Sequence, residues 1–149
     1  MFIEINIVPL IEKNIKENSI NFSVSKMAWK IEPNTNGGYK KAKSVCKNNK
    51  IILEPHSTTL IYTNEVIALS NKLGGTFHAK VGVVSRGVVF CSTMIGPGYF
   101  GHLLITVQNP TDNDIQLTVG ETFISLILYK LNLQSSTDTK EVTKEISSI

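Results

Sequence analysis

The chain has 149 residues, 42% of them hydrophobic and 18% charged, with a formal net charge of +3. That is the length of one domain and the composition of a chain that packs a core, which excludes a disordered protein. No apolar run approaches the roughly 18 residues that span a bilayer. Two cysteines, Cys46 and Cys91, are too few for a disulfide framework or a zinc cage.

The charged residues narrow the chemistry. Fourteen of the 15 basic residues are Lys and the other is Arg86. Asp occurs only at positions 112, 114 and 138. Mechanisms that need an early Asp or two arginines are therefore excluded. Residues 1–10 alternate apolar and polar and carry Glu4, unlike a signal peptide. The expected location is the cytoplasm, with both thiols reduced. The wealth of Lys, Asn and Ile is the composition of AT-rich coding, as in a low-GC bacterium or its phage.

In chain order the expected elements are strands. Phe2, Ile3, Ile5 and Ile7 alternate, as do Ile20, Phe22 and Val24. Residues 27–31 form a third candidate. Residues 51–54 end at Pro55, which no central strand continues through. Residues 58–63 and 66–69 follow, then a long alternating run over 76–84. Residues 88–91, 103–108, 115–117 and 123–131 complete the set. Gly37-Gly38, Gly74-Gly75, Pro97-Gly98, Asn113-Asp114 and Gly120 punctuate it. Short strands at this spacing, without a helical period, predict a sandwich or jelly-roll barrel. The expected organisation is one β domain over 1–133 and a polar tail over 134–149. Residues 26–50 carry seven lysines against Glu32 alone. A solvated basic loop is the expectation there, and nucleic acid is not an expected partner.

From residue 52 to 131 the order of features resembles the trimeric dUTPase and dCTP deaminase superfamily. Ile52-Leu53-Glu54-Pro55, then Thr63-Asn64-Glu65 and Ile67-Ala68-Leu69, look like that family's strand, Pro-turn and Thr-x-Glu segment. Leu73-Gly74-Gly75 precedes the strand leading to its phosphate motif. Ile95-Gly96-Pro97-Gly98-Tyr99-Phe100-Gly101-His102 looks like its Ile-Asp-Pro-Gly-aromatic-x-Gly hairpin, and Asn109, Ile115 and Gly120 fall where the family has theirs. The resemblance implies a distorted jelly-roll β-barrel of dUTPase-like type, assembled as a homotrimer with nucleotide sites at subunit interfaces.

The reactive positions depart from the pattern. Aligned on Gly87, the phosphate motif's Arg-Ser-Ser becomes Lys80, Val81 and Gly82, and the deaminases' further Arg becomes Ser85. Lys80 supplies a point charge but no two-pronged fork. The diphosphatase's Asp is Gly96 and the deaminase's Glu is Thr106. Neither transfers a proton near neutral pH. The last motif's Gln is Ser125, and the glycine-rich C-terminal arm is absent.

The expectation is thus a nucleotide-binding trimer without the usual catalysis. It would sequester or sense a nucleotide, a signalling nucleotide if the chain is from a phage. The alternatives are an active dUTP diphosphatase or dCTP deaminase with relocated groups, using Glu65 or Glu121, and a structural trimer without a ligand. A ligand would lie between Thr93, Met94, Ile95, Gly98 and Tyr99 of one subunit and Lys80, Ser85 and Arg86 of a neighbour, with Ser125 close by. No metal or cofactor is expected, apart from Mg brought by a nucleoside triphosphate. His78 and His102 have no ligand-spaced partners, and Cys91 reads as a buried thiol.

Overall fold

A computed structural model describes residues 5–91 and 93–132. Phe2, Ile3, Ser92 and the tail expected over 134–149 lie outside the described residues.

Strand β1 is Ile5–Val8 and β2 is Ile20–Pro33. The two segments expected at 20–24 and 27–31 are one strand. The break between them is a bulge, where the register shifts between Val24 and Ala28. The Ser25 hydroxyl takes the Met27 amide at 3.0 Å there. The lysine-rich stretch is not a solvated loop. Asn34 and Gly38 close a turn, with both Gly37 and Gly38 at positive φ, and β3 (Tyr39–Ser44) returns along β2. β4 (Cys46–Lys47) and β5 (Lys50–Leu53) then form a tight hairpin. Its corner residues, Asn48 and Asn49, both have positive φ, the geometry Asn tolerates best after Gly.

β6 (Ser57–Leu69) fuses the two strands expected at 58–63 and 66–69. Every odd residue from 57 to 69 is buried and every even one is at least partly exposed. Thr63-Asn64-Glu65 does not interrupt it because each polar group finds a partner. The buried Glu65 carboxylate accepts the Ser23 amide at 3.0 and 3.1 Å and the Ser23 hydroxyl at 2.7 Å. Thr63 donates to the Glu65 carbonyl and accepts the Leu103 amide. No buried side-chain polar atom among the described residues lacks a partner; each orphan would cost about 1–3 kcal/mol.

β7 (Leu73–Ala79) stops short of the long run expected over 76–84. The Lys80 amide makes a last bond to the Phe123 carbonyl. Val81–Val84 is then a single helical turn, α1. The alternation misleads here. Val83 is buried, whereas Val81 and Val84 face outward.

β8 (Val89–Cys91), β9 (Met94–Ile95), β10 (Phe100–Asn109), β11 (Ile115–Thr118) and β12 (Thr122–Lys130) complete the fold. Cys91, expected to be buried, is exposed in the edge strand β8. A nine-stranded antiparallel sheet runs β8-β10-β6-β2-β12-β7-β9, with β1 added on β6 and β3 on β2. A three-stranded sheet, β11-β5-β4, joins the same core. Phe22, Ile61, Ile67, Phe123 and Leu126 from the large sheet meet Ile51, Leu53 and Leu117 from the small one. Each such side chain contributes about 1.5–3 kcal/mol on burial. The expected all-β jelly-roll barrel is the observed architecture.

Candidate functional site

β9 and β10 are joined by the turn Gly96-Pro97-Gly98-Tyr99, and local chemistry fixes its place. Ile95 pairs with Gly75 on β7. A Cβ on Gly75 would sit 2.6 Å from the Ile127 carbonyl oxygen, so only glycine lets β9, β7 and β12 approach this closely. Gly98 has φ +72, donates its amide to the Ser70 carbonyl at 3.1 Å, and lies against the Asn71 side chain. The Tyr99 carbonyl accepts the Leu69 amide. The turn is thereby tied to the corner between β6 and β7.

Beside this turn lies a cleft of about 210 Å³, lined by Phe77, Thr93, Met94, Ile95, Tyr99 and Leu104, with Gly96 at its edge. The Tyr99 hydroxyl donates to the His102 carbonyl. Burial pushes the Tyr99 phenol above its ordinary pKa, and the neighbouring Tyr62 adds to this. Tyr99 therefore stays a neutral donor at neutral pH. The Thr93 carbonyl is taken by the Phe77 amide. The Gly98 amide is likewise used, whereas the Thr93 and Tyr99 carbonyls each keep a second acceptor lone pair. An added Cβ at Gly96 meets nothing within 4 Å. Thr106, at the expected proton-transfer position, sits half-buried between Cys91 and Leu60 in the sheet.

The expected site residues fall into three groups. Thr93, Met94, Ile95 and Tyr99 converge on the cleft, and Gly98 shapes its turn. Lys80, Ser85 and Arg86 flank α1 and do not line the cleft within one chain. The Ser85 hydroxyl bonds back to the Gly82 carbonyl. Arg86 holds Glu121 with both guanidinium arms, at 3.0 and 2.8 Å, and also the Gln116 carbonyl. Lys80 has no ion-pair partner among the described residues. Ser125 donates to Asn21 at 2.7 Å, across β12 and β2. Phe77 and Leu104 line the cleft without having been expected. Leu104 faces outward in the regular alternation of β10, and the packing of β7 and β9 beside β10 makes that face a cleft wall.

Among the described residues no three His, Cys, Asp or Glu side chains come together as a metal cage. No helix among them is long and apolar enough to cross a membrane.

This geometry is the dUTPase-like jelly roll, with a cleft beside its Pro-Gly hairpin. Residues 2–131 match the family described as dCTP deaminase-like, and the chain belongs to that family. It is 26% identical over 128 residues to a dCTP deaminase of Pyrococcus abyssi, covering 86% of this chain and 78% of that one. A Pyrococcus horikoshii dCTP deaminase is 24% identical over 85 residues, 57% of this chain and 54% of the relative. The chain spans about half the length of such relatives. The fold superposes on the 2'-deoxycytidine 5'-triphosphate deaminase from Agrobacterium tumefaciens with a TM-score of 0.65 at 13% identity, over 93% of this chain and 49% of the other. With a dUTPase from phage phi11 of S. aureus the TM-score is 0.58 at 14% identity, over 85% and 90%.

Proposed function

We propose that this chain binds a nucleotide at the 93–99 hairpin and lacks both deaminase and diphosphatase chemistry. One observation carries the proposal. A cleft lies at the hairpin, while the two positions aligned with the family's proton-transferring groups hold Gly96 and Thr106. General acid–base groups contribute about 10²–10⁴-fold to rate, so their absence removes family-like turnover. The acids considered as replacements are committed elsewhere. Glu65 is buried on Ser23 and Glu121 is clamped by Arg86. The role that fits is sequestering or sensing a nucleotide, in a homotrimer whose neighbour brings Lys80 toward the cleft. Met94, in the cleft wall, and Phe100, which follows Tyr99 in the chain, are both 78% exposed and favour such an interface, since large exposed apolar groups mark contacts. A divalent cation would accompany only a triphosphate ligand.

The test is calorimetry with a panel of nucleotides, combined with product analysis on dUTP and dCTP with magnesium. The expected result is binding without conversion. Conversion would make the chain an enzyme with relocated groups. Failure to bind any nucleotide would leave a structural trimer.

A further inference from the structure

The positive charge of the chain is concentrated in one stretch. Residues 26–50 hold seven lysines and one acid, leaving eight cations against eleven acids elsewhere. The fold sets four of these lysines against one another in pairs. Lys43 on β3 stands directly opposite Lys30 on β2, and Lys47 on β4 stands directly opposite Lys50 on β5. Like charges facing each other across two strands weaken the pairing. Two of the four find a partner nearby. Lys30 reaches the Glu54 carboxylate at 2.6 Å, and Lys50 donates to the Thr118 hydroxyl at 2.9 Å. Lys43 and Lys47 are exposed and have no ion-pair partner among the described residues.

These two lysines wall one cleft. It holds about 420 Å³ between β3, β4 and β5, within the size range of small-molecule sites. Glu54 is the one acid in its wall. The Lys30 bond holds the Glu54 carboxyl below its ordinary pKa, and Lys43 adds to this, so Glu54 stays an anion and offsets one of the three charges. Val45 and Ile52 form an apolar side, joined by a bond from the Ile52 amide to the Val45 carbonyl at 3.1 Å. The Val45 amide goes to the Ala28 carbonyl on β2. In an antiparallel ladder the preceding residue then turns its amide the other way. The Ser44 amide thus points off the free edge of β3, which pairs with β2 alone. No aromatic ring lines this cleft, and it shares no lining residue with the hairpin cleft.

We propose that this cleft binds a small phosphomonoester. The phosphate lies between Lys43 and Lys47, which serve it as point charges, and the rest of the molecule lies against Val45 and Ile52. A phosphomonoester carries close to two negative charges at neutral pH, one for each unpaired lysine. It thereby relieves both cross-strand repulsions. A monocarboxylate brings a single charge and leaves one lysine unmatched. A nucleobase finds no ring to stack on here, and the proposal does not depend on the nucleotide function.

Cys46 lines the same cleft and supplies a local reporter. In a Cys91→Ser background it is the one thiol of the chain. The probe is phenyl phosphate, compared with benzoate and inorganic phosphate at constant ionic strength. Phenyl phosphate should slow the alkylation of Cys46 by iodoacetamide in a saturable way, with the same affinity in calorimetry. Benzoate and inorganic phosphate should each bind roughly tenfold more weakly, one for want of charge and the other for want of an apolar body. Lys43→Ala and Lys47→Ala should each weaken phenyl phosphate roughly tenfold. Each removes a like-charge contact, so the fold should survive, with circular dichroism unchanged. Lys13→Ala, elsewhere on the surface, should leave binding intact. Absence of saturable protection at Cys46 would overturn the proposal. So would benzoate or inorganic phosphate binding as tightly as phenyl phosphate, or full affinity in the Lys43→Ala, Lys47→Ala double variant.

Discussion

Arg86 and Glu121 form a two-pronged ion pair, Nη1 to Oε1 at 3.0 Å and Nη2 to Oε2 at 2.8 Å. The same carboxylate also accepts the Thr118 amide at 2.7 Å. The lone arginine of the chain thus ties the turn after α1 to the corner between β11 and β12. The pair explains why a cation next to the old phosphate motif need not serve a phosphate.

The pair has a pH signature. Burial pushes the Glu121 carboxyl up, but the Arg86 guanidinium and the Thr118 amide together outweigh it and hold it below its ordinary value. A lowered folded pKa gives stability that is present above the unfolded value, roughly 4.3, and lost as pH falls through the folded one. Glu121→Gln should cost about 1 kcal/mol at pH 7, a modest figure because solvent screens the pair. The deficit should shrink as the wild type is acidified below pH of roughly 4. Urea unfolding of both proteins across that range measures it.

Glu65 should prove structural. Gln in its place turns an amide NH₂ toward the Ser23 donors, which the carboxylate now accepts. A buried charged hydrogen-bond group lost this way costs roughly 2–3 kcal/mol. Glu65→Gln should lower the urea midpoint accordingly. An unchanged midpoint would contradict the assignment and return Glu65 to the catalytic candidates.

Gly75 and Gly96 should respond oppositely to alanine. At Gly75 the new Cβ meets the Ile127 carbonyl at 2.6 Å and Leu126 at 2.8 Å, an overpacking worth about 1–3 kcal/mol. At Gly96 there is open space. Gly96→Ala, and Gly96→Asp, should fold with stability within about 0.5 kcal/mol of the parent. Thermal unfolding of the three variants decides this.

Nucleotide binding should depend on both sides of the proposed interface. Lys80→Ala should lose on the order of 1–3 kcal/mol of binding energy, the scale of a charged hydrogen bond. Tyr99→Ala should lose a similar amount through stacking. Full affinity in the double variant, measured by calorimetry, would place the ligand elsewhere.

The sequence made the strands and the hairpin legible because alternation and Pro-Gly chemistry are local. Phe123 and Leu126 announce their burial, and Ile95 to His102 carry the family pattern. The structure departs from the pattern where partners distant in the chain decide. Val81 and Val83 continue an alternation, yet the Lys80 carbonyl accepts the Val83 and Val84 amides and closes a helical turn that ends the strand. The lysines after Tyr39 read as solvated loop, yet the Gly37-Gly38 turn folds them back onto β2. The commitment of Arg86 depends on Glu121, 35 residues away. Leu104 lines the cleft because its outward face lies against β7 and β9, strands distant from it in the chain.

Single-turnover product analysis decides whether the bound nucleotide is converted. Protein in excess is incubated with labelled dCTP or dUTP and magnesium, and the bound nucleotide is recovered and separated by chromatography. The nucleotide should return unconverted, with neither deaminated base nor monophosphate formed. Stoichiometric conversion of either substrate, lost in Glu65→Gln or Glu121→Gln while those variants remain folded, would contradict it.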